Sequence, residues 1–230
     1  MVQAKADFEK GEDYNIGRNG KNQNFETARE WYEKAAKQGN AAAQFKFGKM
    51  CSRGSGGAQN YVAARKWYEK AAQQNHADAQ NDLGSLLYNG DGGPKDIWKA
   101  HEWLEKAAQQ NHADAQRNLG LWYAAQGSAA DYKKAREWYE KAAQQNHADA
   151  QNLLGDLYYY GRGGPRDYPM SRQCYEKAAQ LGHPAGQRNL GRAYDLGLGA
   201  VYDQKTALEW YRKAAAQRDK EAIEHLKKKN

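Results

Sequence analysis

The string Lys-Ala-Ala-Gln-Gln-Asn-His-Ala-Asp-Ala-Gln occurs three times without change, beginning at Lys70, Lys106 and Lys141. An aromatic anchor recurs with it at Trp31, Trp67, Trp103, Trp138 and Trp210, with Cys174 in the fifth slot, in steps of 36, 36, 35, 36 and 36 residues. A second anchor precedes each of these: Lys10-Gly11, Phe47-Gly48, Leu83-Gly84, Leu119-Gly120, Leu154-Gly155 and Leu190-Gly191, the first of them degenerate. A fixed period of this length makes each copy one supersecondary unit that buries its apolar face only against its neighbours.

Composition agrees with thin layers rather than one large core. Hydrophobic residues are 40% of the 230, much of that share is alanine, and mean hydropathy is −1.12. A 12% aromatic share with only 4 prolines argues against disorder. No run of 18 apolar residues exists, so no membrane span is expected. Met1–Lys5 carries no apolar leader segment, and the compartment stays unassigned: cytoplasmic as written, periplasmic or secreted if a leader preceded it. Net charge +7 permits acidic partners without requiring them.

Each unit reads as two helices. Ala79, Leu83 and Leu87 fall at four-residue spacing on one face of a first helix, which stops at Gly90-Asp91-Gly92-Gly93-Pro94. A second helix is predicted from about Asp96 to Gln110, with Ala100, Trp103 and Ala107 as its buried stripe. A mid-helix glycine costs about 1 kcal/mol against alanine, so Gly84 and its equivalents imply a helix approaching too closely for a Cβ. The Ala-Ala pair beside each Trp is expected to leave room for an indole.

These residues resemble the Sel-1-like repeat, a relative of the tetratricopeptide repeat: Leu154-Gly155-x-x-Tyr158-x-x-Gly161, then Trp67-Tyr68-Glu69-Lys70-Ala71-Ala72. The resemblance implies an all-α, right-handed α/α superhelical solenoid in one domain, with six helical hairpins at 4–39, 40–75, 76–111, 112–146, 147–182 and 183–218. Residues 219–230 look like one more first helix serving as a cap, with Ala222 and Leu226 in register and Lys227 in the glycine slot. Some copies depart from the pattern. Gly186 replaces an alanine, the fourth copy has Gln126 in place of the glycine after Tyr123, and Cys174 replaces Trp. Truncating a buried Trp costs about 3–5 kcal/mol if the void stays open. Either Tyr158 or Tyr175 fills it, or the fifth layer is the weakest.

Catalytic and metal chemistry is hard to find. His76, His112, His147 and His183 recur once per repeat and read as helix-junction residues, since equivalent positions on helices 8–10 Å apart cannot share an ion. The glycine-rich loops, such as Gly161-Arg162-Gly163-Gly164-Pro165, lack the Lys-Ser/Thr of a phosphate loop. Cys51 and Cys174 lie three layers apart in a solenoid, beyond disulfide reach. Lys227-Lys228-Lys229 reads as a solvated helix end. No catalytic residue, metal or cofactor is expected.

By analogy with tetratricopeptide repeats, groove-facing slots fall three before, one after, and four or five after the mid-helix glycine. They hold Phe8, Phe45, Asn81, Arg117, Asn152 and Arg188; then Glu12, Lys49, Ser85, Leu121, Asp156 and Arg192; then Asn15, Arg53, Tyr88, Asn89, Tyr159, Tyr160 and Asp195. These slots vary while the buried ones hardly do. The expected function is a non-catalytic scaffold or adaptor that binds a protein or peptide on its concave face. Phe45, Lys49, Arg53, Asn81, Tyr88, Asn89, Arg117, Asn152, Tyr159, Tyr160, Arg188 and Arg192 are the expected contacts. The alternatives are an RNA-binding helical repeat, disfavoured because the charges form no continuous basic stripe, and a hydrolase of cell-wall-type substrates, as cysteine-rich relatives have been labelled. The latter lacks a nucleophile–base pair.

Overall fold

The computed structural model describes residues 2–229, and they are all-α: thirteen helices and no strand among the described residues. They fall into two compact units divided between His112 and Ala113. The first holds α1 (Val2–Ile16), α2 (Phe25–Lys37), α3 (Ala41–Arg53), α4 (Tyr61–Gln73), α5 (Ala77–Asn89) and α6 (Ile97–Gln109). The second holds α7 (Ala113–Gln126), α8 (Ala129–Gln144), α9 (Ala148–Tyr160), α10 (Tyr168–Gln180), α11 (Pro184–Leu196), α12 (Gln204–Ala216) and α13 (Lys220–Lys229). Odd- and even-numbered helices pair as six hairpins, three in each unit, and α13 packs on α12 as the start of a seventh.

Local chemistry sets the ends. Asn24, Asn60, Asp96, Ser128, Asp167 and Asp203 cap the even helices, each side chain accepting from the backbone N–H three residues on. Thus Asp96 is the cap of the helix that the sequence starts there. Gly54, Gly90, Gly161 and Gly197 close first helices in the left-handed region. The fourth hairpin has no glycine at that point, and α7 runs on to Gln126 before Gly127 turns the chain at φ 81°. Between hairpins, a left-handed slot is taken by Gly39, Asn75, Asn111, Asn146, Gly182 and Arg218.

The core differs from expectation in one respect. Trp103 and the other repeat-anchor indoles (Trp31, Trp67, Trp138 and Trp210) are only half-buried; the fully buried anchor is the next residue, Tyr32, Tyr68, Leu104, Tyr139, Tyr175 or Tyr211. The mid-helix glycine serves this residue. A Cβ on Gly48 would lie 2.8 Å from the Tyr68 ring, one on Gly84 2.8 Å from Leu104, and one on Gly155 2.6 Å from the Tyr175 ring. The close approach is therefore made within one hairpin, by the second helix laying its Tyr or Leu across the first. The indole sits one residue round the helix and is shielded from outside by the lysine of Trp-Tyr-x-Lys. Lys34, Lys70, Lys106, Lys141 and Lys213 place Nζ 4.7, 4.3, 4.2, 4.0 and 3.9 Å from the centroids of Trp31, Trp67, Trp103, Trp138 and Trp210.

Polar side chains join successive hairpins. Gln44, Gln80, Gln151 and Gln187, all buried, donate to the carbonyls of Ala36, Ala72, Ala143 and Ala179 on the preceding second helix. The oxygen of this glutamine accepts from the C-cap glutamine of its own hairpin: Gln74 to Gln44, Gln110 to Gln80, Gln145 to Gln116 and Gln217 to Gln187, at 2.7–2.9 Å. The recurring histidines join this junction. His147 and His183 cap α9 and α11 through Nδ1, accepting from Ala150 and Gly186 N–H. Their Nε2 atoms lie 2.9 and 3.4 Å from Asp114 and Asp149. They are helix-junction residues, and no group of three or more metal-ligating side chains occurs among the described residues.

Candidate functional site

The expected contact residues separate by depth. Phe45, Asn81 and Asn152, three before the glycine, are buried. Phe45 stacks on His76 at 4.8 Å, Asn152 accepts from Asn189 at 2.9 Å, and Asn81 donates to Asp82. Arg117 and Arg188 are half-buried and paired, Arg117 with Asp149 and Arg188 with Asp219, both at 2.9 Å. This column is largely engaged with neighbouring first helices. Sequence comparison of the copies cannot separate such contacts from a free face, because both vary from unit to unit.

One turn on, Glu12 and Asp156 face the buried tyrosines of their hairpins. Tyr32 Oη donates to Glu12 at 2.6 Å and Tyr175 Oη to Asp156 at 2.7 Å. Burial, reinforced by these carboxylates, pushes the phenols of Tyr32 and Tyr175 far above their ordinary range. Burial also raises Asp156 and Asp82, although Tyr175 opposes this at Asp156 and Asn81 at Asp82. Glu12 and Asp156 thus hold the buried tyrosine hydroxyls from the first helix and form a scaffold for the face.

The remaining contacts are accessible. In the first unit, a cleft of about 290 Å³ is lined by Asn15, Lys46, Lys49, Met50 and Arg53, with Tyr32 and the exposed Phe25 also in its wall. A second cleft, also about 290 Å³, shares Arg53 and continues over Ser52, Tyr68, Asp82 and Ser85. Tyr88 and Asn89 are exposed at the end of α5, where Lys95 covers the Tyr88 ring at 4.8 Å. In the second unit, Tyr159 packs edge-on against Tyr160 and Tyr168, and arginines lie over these rings: Arg192 on Tyr159 at 4.7 Å, Arg162 on Tyr160 at 5.1 Å and Arg166 on Tyr168 at 5.7 Å. Arg162 and Arg166 belong to the loop after α9 and escaped the sequence reading, which took that loop as a helix–helix connection after rejecting a phosphate cradle. Their signal was the Arg-x-x-x-Arg pair spanning a helix-ending glycine loop next to tyrosines. Leu121, on α7, is exposed.

Both cysteines are free and buried. Burial pushes the Cys174 thiol up to about 11 and raises Cys51, where Arg29 partly opposes it. Neither is a ready nucleophile. Among the described residues no helix is long and apolar enough to cross a membrane.

Six consecutive segments, 11–40, 41–76, 77–112, 113–147, 148–183 and 184–219, match the Sel1 repeat. The chain belongs to the Sel1 repeat family. Among solved structures it is similar to a Sel1 repeat protein from Oxalobacter formigenes, with 34% identity and TM-score 0.84 over 92% of this chain and 84% of that one. It is equally similar to c5321, a protective antigen of uropathogenic Escherichia coli with this fold, at 33% identity and TM-score 0.84 over 95% of this chain. The chain spans 47% of the length of that antigen. PilF of Pseudomonas aeruginosa shares the fold at 20% identity and TM-score 0.71. No curated protein matches the sequence. Sel1 repeat proteins are in general protein-interaction scaffolds, and their fold is typically non-catalytic.

Proposed function

We propose that this Sel1 repeat protein is a non-catalytic adaptor that holds a carboxylate-bearing protein or peptide on the exposed face of its first helices. The observation that carries this is the chemistry of the accessible residues. Lys46, Lys49 and Arg53 line the first-unit cleft together with Tyr32 and Phe25, and Arg162, Arg166 and Arg192 lie over tyrosine rings in the second unit. Guanidinium groups held over rings are pre-organised donors for carboxylates, and tyrosines supply anchors at modest entropic cost. Phe45, Asn81, Asn152, Arg117 and Arg188 support the face from beneath.

A display selection of random peptides against the full chain tests this. Selected peptides should be enriched in Asp and Glu beside an apolar residue, and Lys49→Ala/Arg53→Ala or Arg162→Ala/Arg192→Ala should weaken them at least about tenfold. Peptides without acidic enrichment that bind both double variants as tightly as wild type would refute the assignment. Tight single-stranded RNA binding with a steep salt dependence would replace it by the nucleic-acid reading.

A further inference from the structure

The fifth hairpin keeps the surroundings of the repeat's indole but carries Cys174 in its place. In the third hairpin Trp103 and Lys106 line a cleft of about 330 Å³ together with Ala72, Gln73 and Gln80. The counterparts of these residues in the fifth hairpin are Cys174, Lys177, Ala143, Gln144 and Gln151, and they line a cavity of about 260 Å³. In the third hairpin the indole is one wall of the cleft. In the fifth, the cavity reaches inward to Leu154, Tyr158 and Met170. Leu154 is the residue before the mid-helix glycine, the same position from which Phe47 meets the edge of Trp67 at 5.5 Å in the second hairpin. Both neighbouring tyrosines are held in place around the slot, Tyr158 as part of the buried cluster that includes Cys174 and Leu154. Tyr158 is held under Arg136, 3.8 Å from its centroid, and Tyr175 is tied to Asp156.

Two further departures fall on the same spot. Lys177 is exposed and keeps the lysine that elsewhere covers an indole, but Cys174 offers it no ring. Leu181 replaces the C-cap glutamine that elsewhere donates to the buried glutamine oxygen. Gln151 is 5% exposed, its Nε2 is engaged by the Ala143 carbonyl, and its oxygen lacks the donor present in the second, third, fourth and sixth hairpins. The slot thus offers apolar side chains, the Gln151 oxygen as an acceptor and a cation. The five sibling hairpins show what fits against such a wall: an indole face below a lysine.

We infer that the Cys174 cavity is a receptor for a tryptophan side chain of a partner protein, seated on Leu154 with its N–H toward Gln151 and Lys177 over its ring. This surface is lined by α8, α9 and α10 and is separate from the first-helix face, so the inference stands independently of the carboxylate-binding proposal.

The test is an amide NMR titration of the full chain with N-acetyl-tryptophanamide at millimolar concentration, alongside N-acetyl-alaninamide. Wild type should show saturable shifts at the Gln151 side-chain amide, Leu154 and Lys177 with the tryptophan compound and none with the alanine compound. Cys174→Trp should raise Tm and abolish the shifts; Leu181→Gln, on an exposed position, should return a donor to Gln151 and weaken binding several-fold. No saturable shifts in wild type, or shifts unchanged in Cys174→Trp, would overturn the inference. If Cys174→Trp fails to fold or lowers Tm, the slot does not fit an indole and the inference is also overturned. A wild-type dimer that Cys174→Trp turns into a monomer would give the slot to a second copy instead of a partner.

Discussion

The second and fifth hairpins share a frame and differ at one layer. Both lay a tyrosine, Tyr68 or Tyr175, across a mid-helix glycine, and both cap their second helix with a side-chain oxygen. The second hairpin then adds Trp67 under Lys70 and the Gln74–Gln44 bond, while the fifth has Cys174, an uncovered Lys177 and Leu181. The repeat therefore has two separable layers: an inner one of Tyr on Gly that makes the hairpin, and an outer one of Trp, Lys and Gln that seals it. Evolution or design can remove the outer layer without touching the inner.

The largest effect should test the inner layer. Tyr68→Ala and Tyr175→Ala should each cost about 3–5 kcal/mol in urea unfolding, whereas Trp67→Ala should cost roughly half as much because its indole is only half-buried. Cys174→Ala should be close to neutral. A Trp67→Ala cost equal to that of Tyr68→Ala would dissolve the distinction between layers. Next, Gly48→Ala and Gly155→Ala should each lose about 1–2 kcal/mol, the overpacking against a ring exceeding the helix-propensity gain. Stabilisation of either would show that the ring moves aside freely.

Acid titration separates two carboxylates of the second unit. Asp149 is held below its ordinary range, chiefly by the His183 hydrogen bond and also by Arg117, against burial. Its folded pKa lies below the unfolded one, so its contribution is present above the ordinary carboxylate pKa and disappears as pH falls through the lowered value. Asp149→Asn should lower unfolding stability at about pH 7, by less than ~1 kcal/mol for a pair this exposed, and with it Tm, and leave both unchanged well below pH 3. Asp156 is raised by burial, so its contribution is greatest at low pH and declines as pH rises through the raised value. Asp156→Asn keeps an acceptor for Tyr175 and should raise Tm at neutral pH only; Tm profiles of the two variants that shift in the same direction would contradict these opposite signs. The smallest effect is Leu181→Gln, worth about 0.5–1 kcal/mol through a restored bond to Gln151; denaturation midpoints of wild type and variant check it.

Much of this architecture was legible in the residues. The second-helix start at about Asp96 was placed correctly, and the structure makes Asp96 its cap; the unit length followed from identical strings. What misled was adjacency. Trp and Tyr are neighbours, both recur, and a helical turn places them about 100° apart, so recurrence could not say which points inward. The lysine three residues after Trp carried that information, because a cation over a ring marks the outer edge. The face was partly legible: Lys49, Arg53, Tyr88, Asn89, Tyr159, Tyr160 and Arg192 reach solvent at least in part, but Phe45, Asn81 and Asn152 are covered by adjacent helices, a fact of packing between copies rather than of spacing within one.

The left-handed slot between hairpins has a last consequence. Asparagine and glycine occupy it almost everywhere because they tolerate that conformation at little cost. Before α13 the slot is held by exposed Arg218 at φ 64°. A trypsin-like protease cuts after arginine, and here the arginine sits in a strained, solvent-facing bend. Cleavage there would free α13 and strip the His225 ring from Tyr211, on which it stacks at 4.0 Å. A single nick would thus expose a ready-made apolar end on which another hairpin could stack.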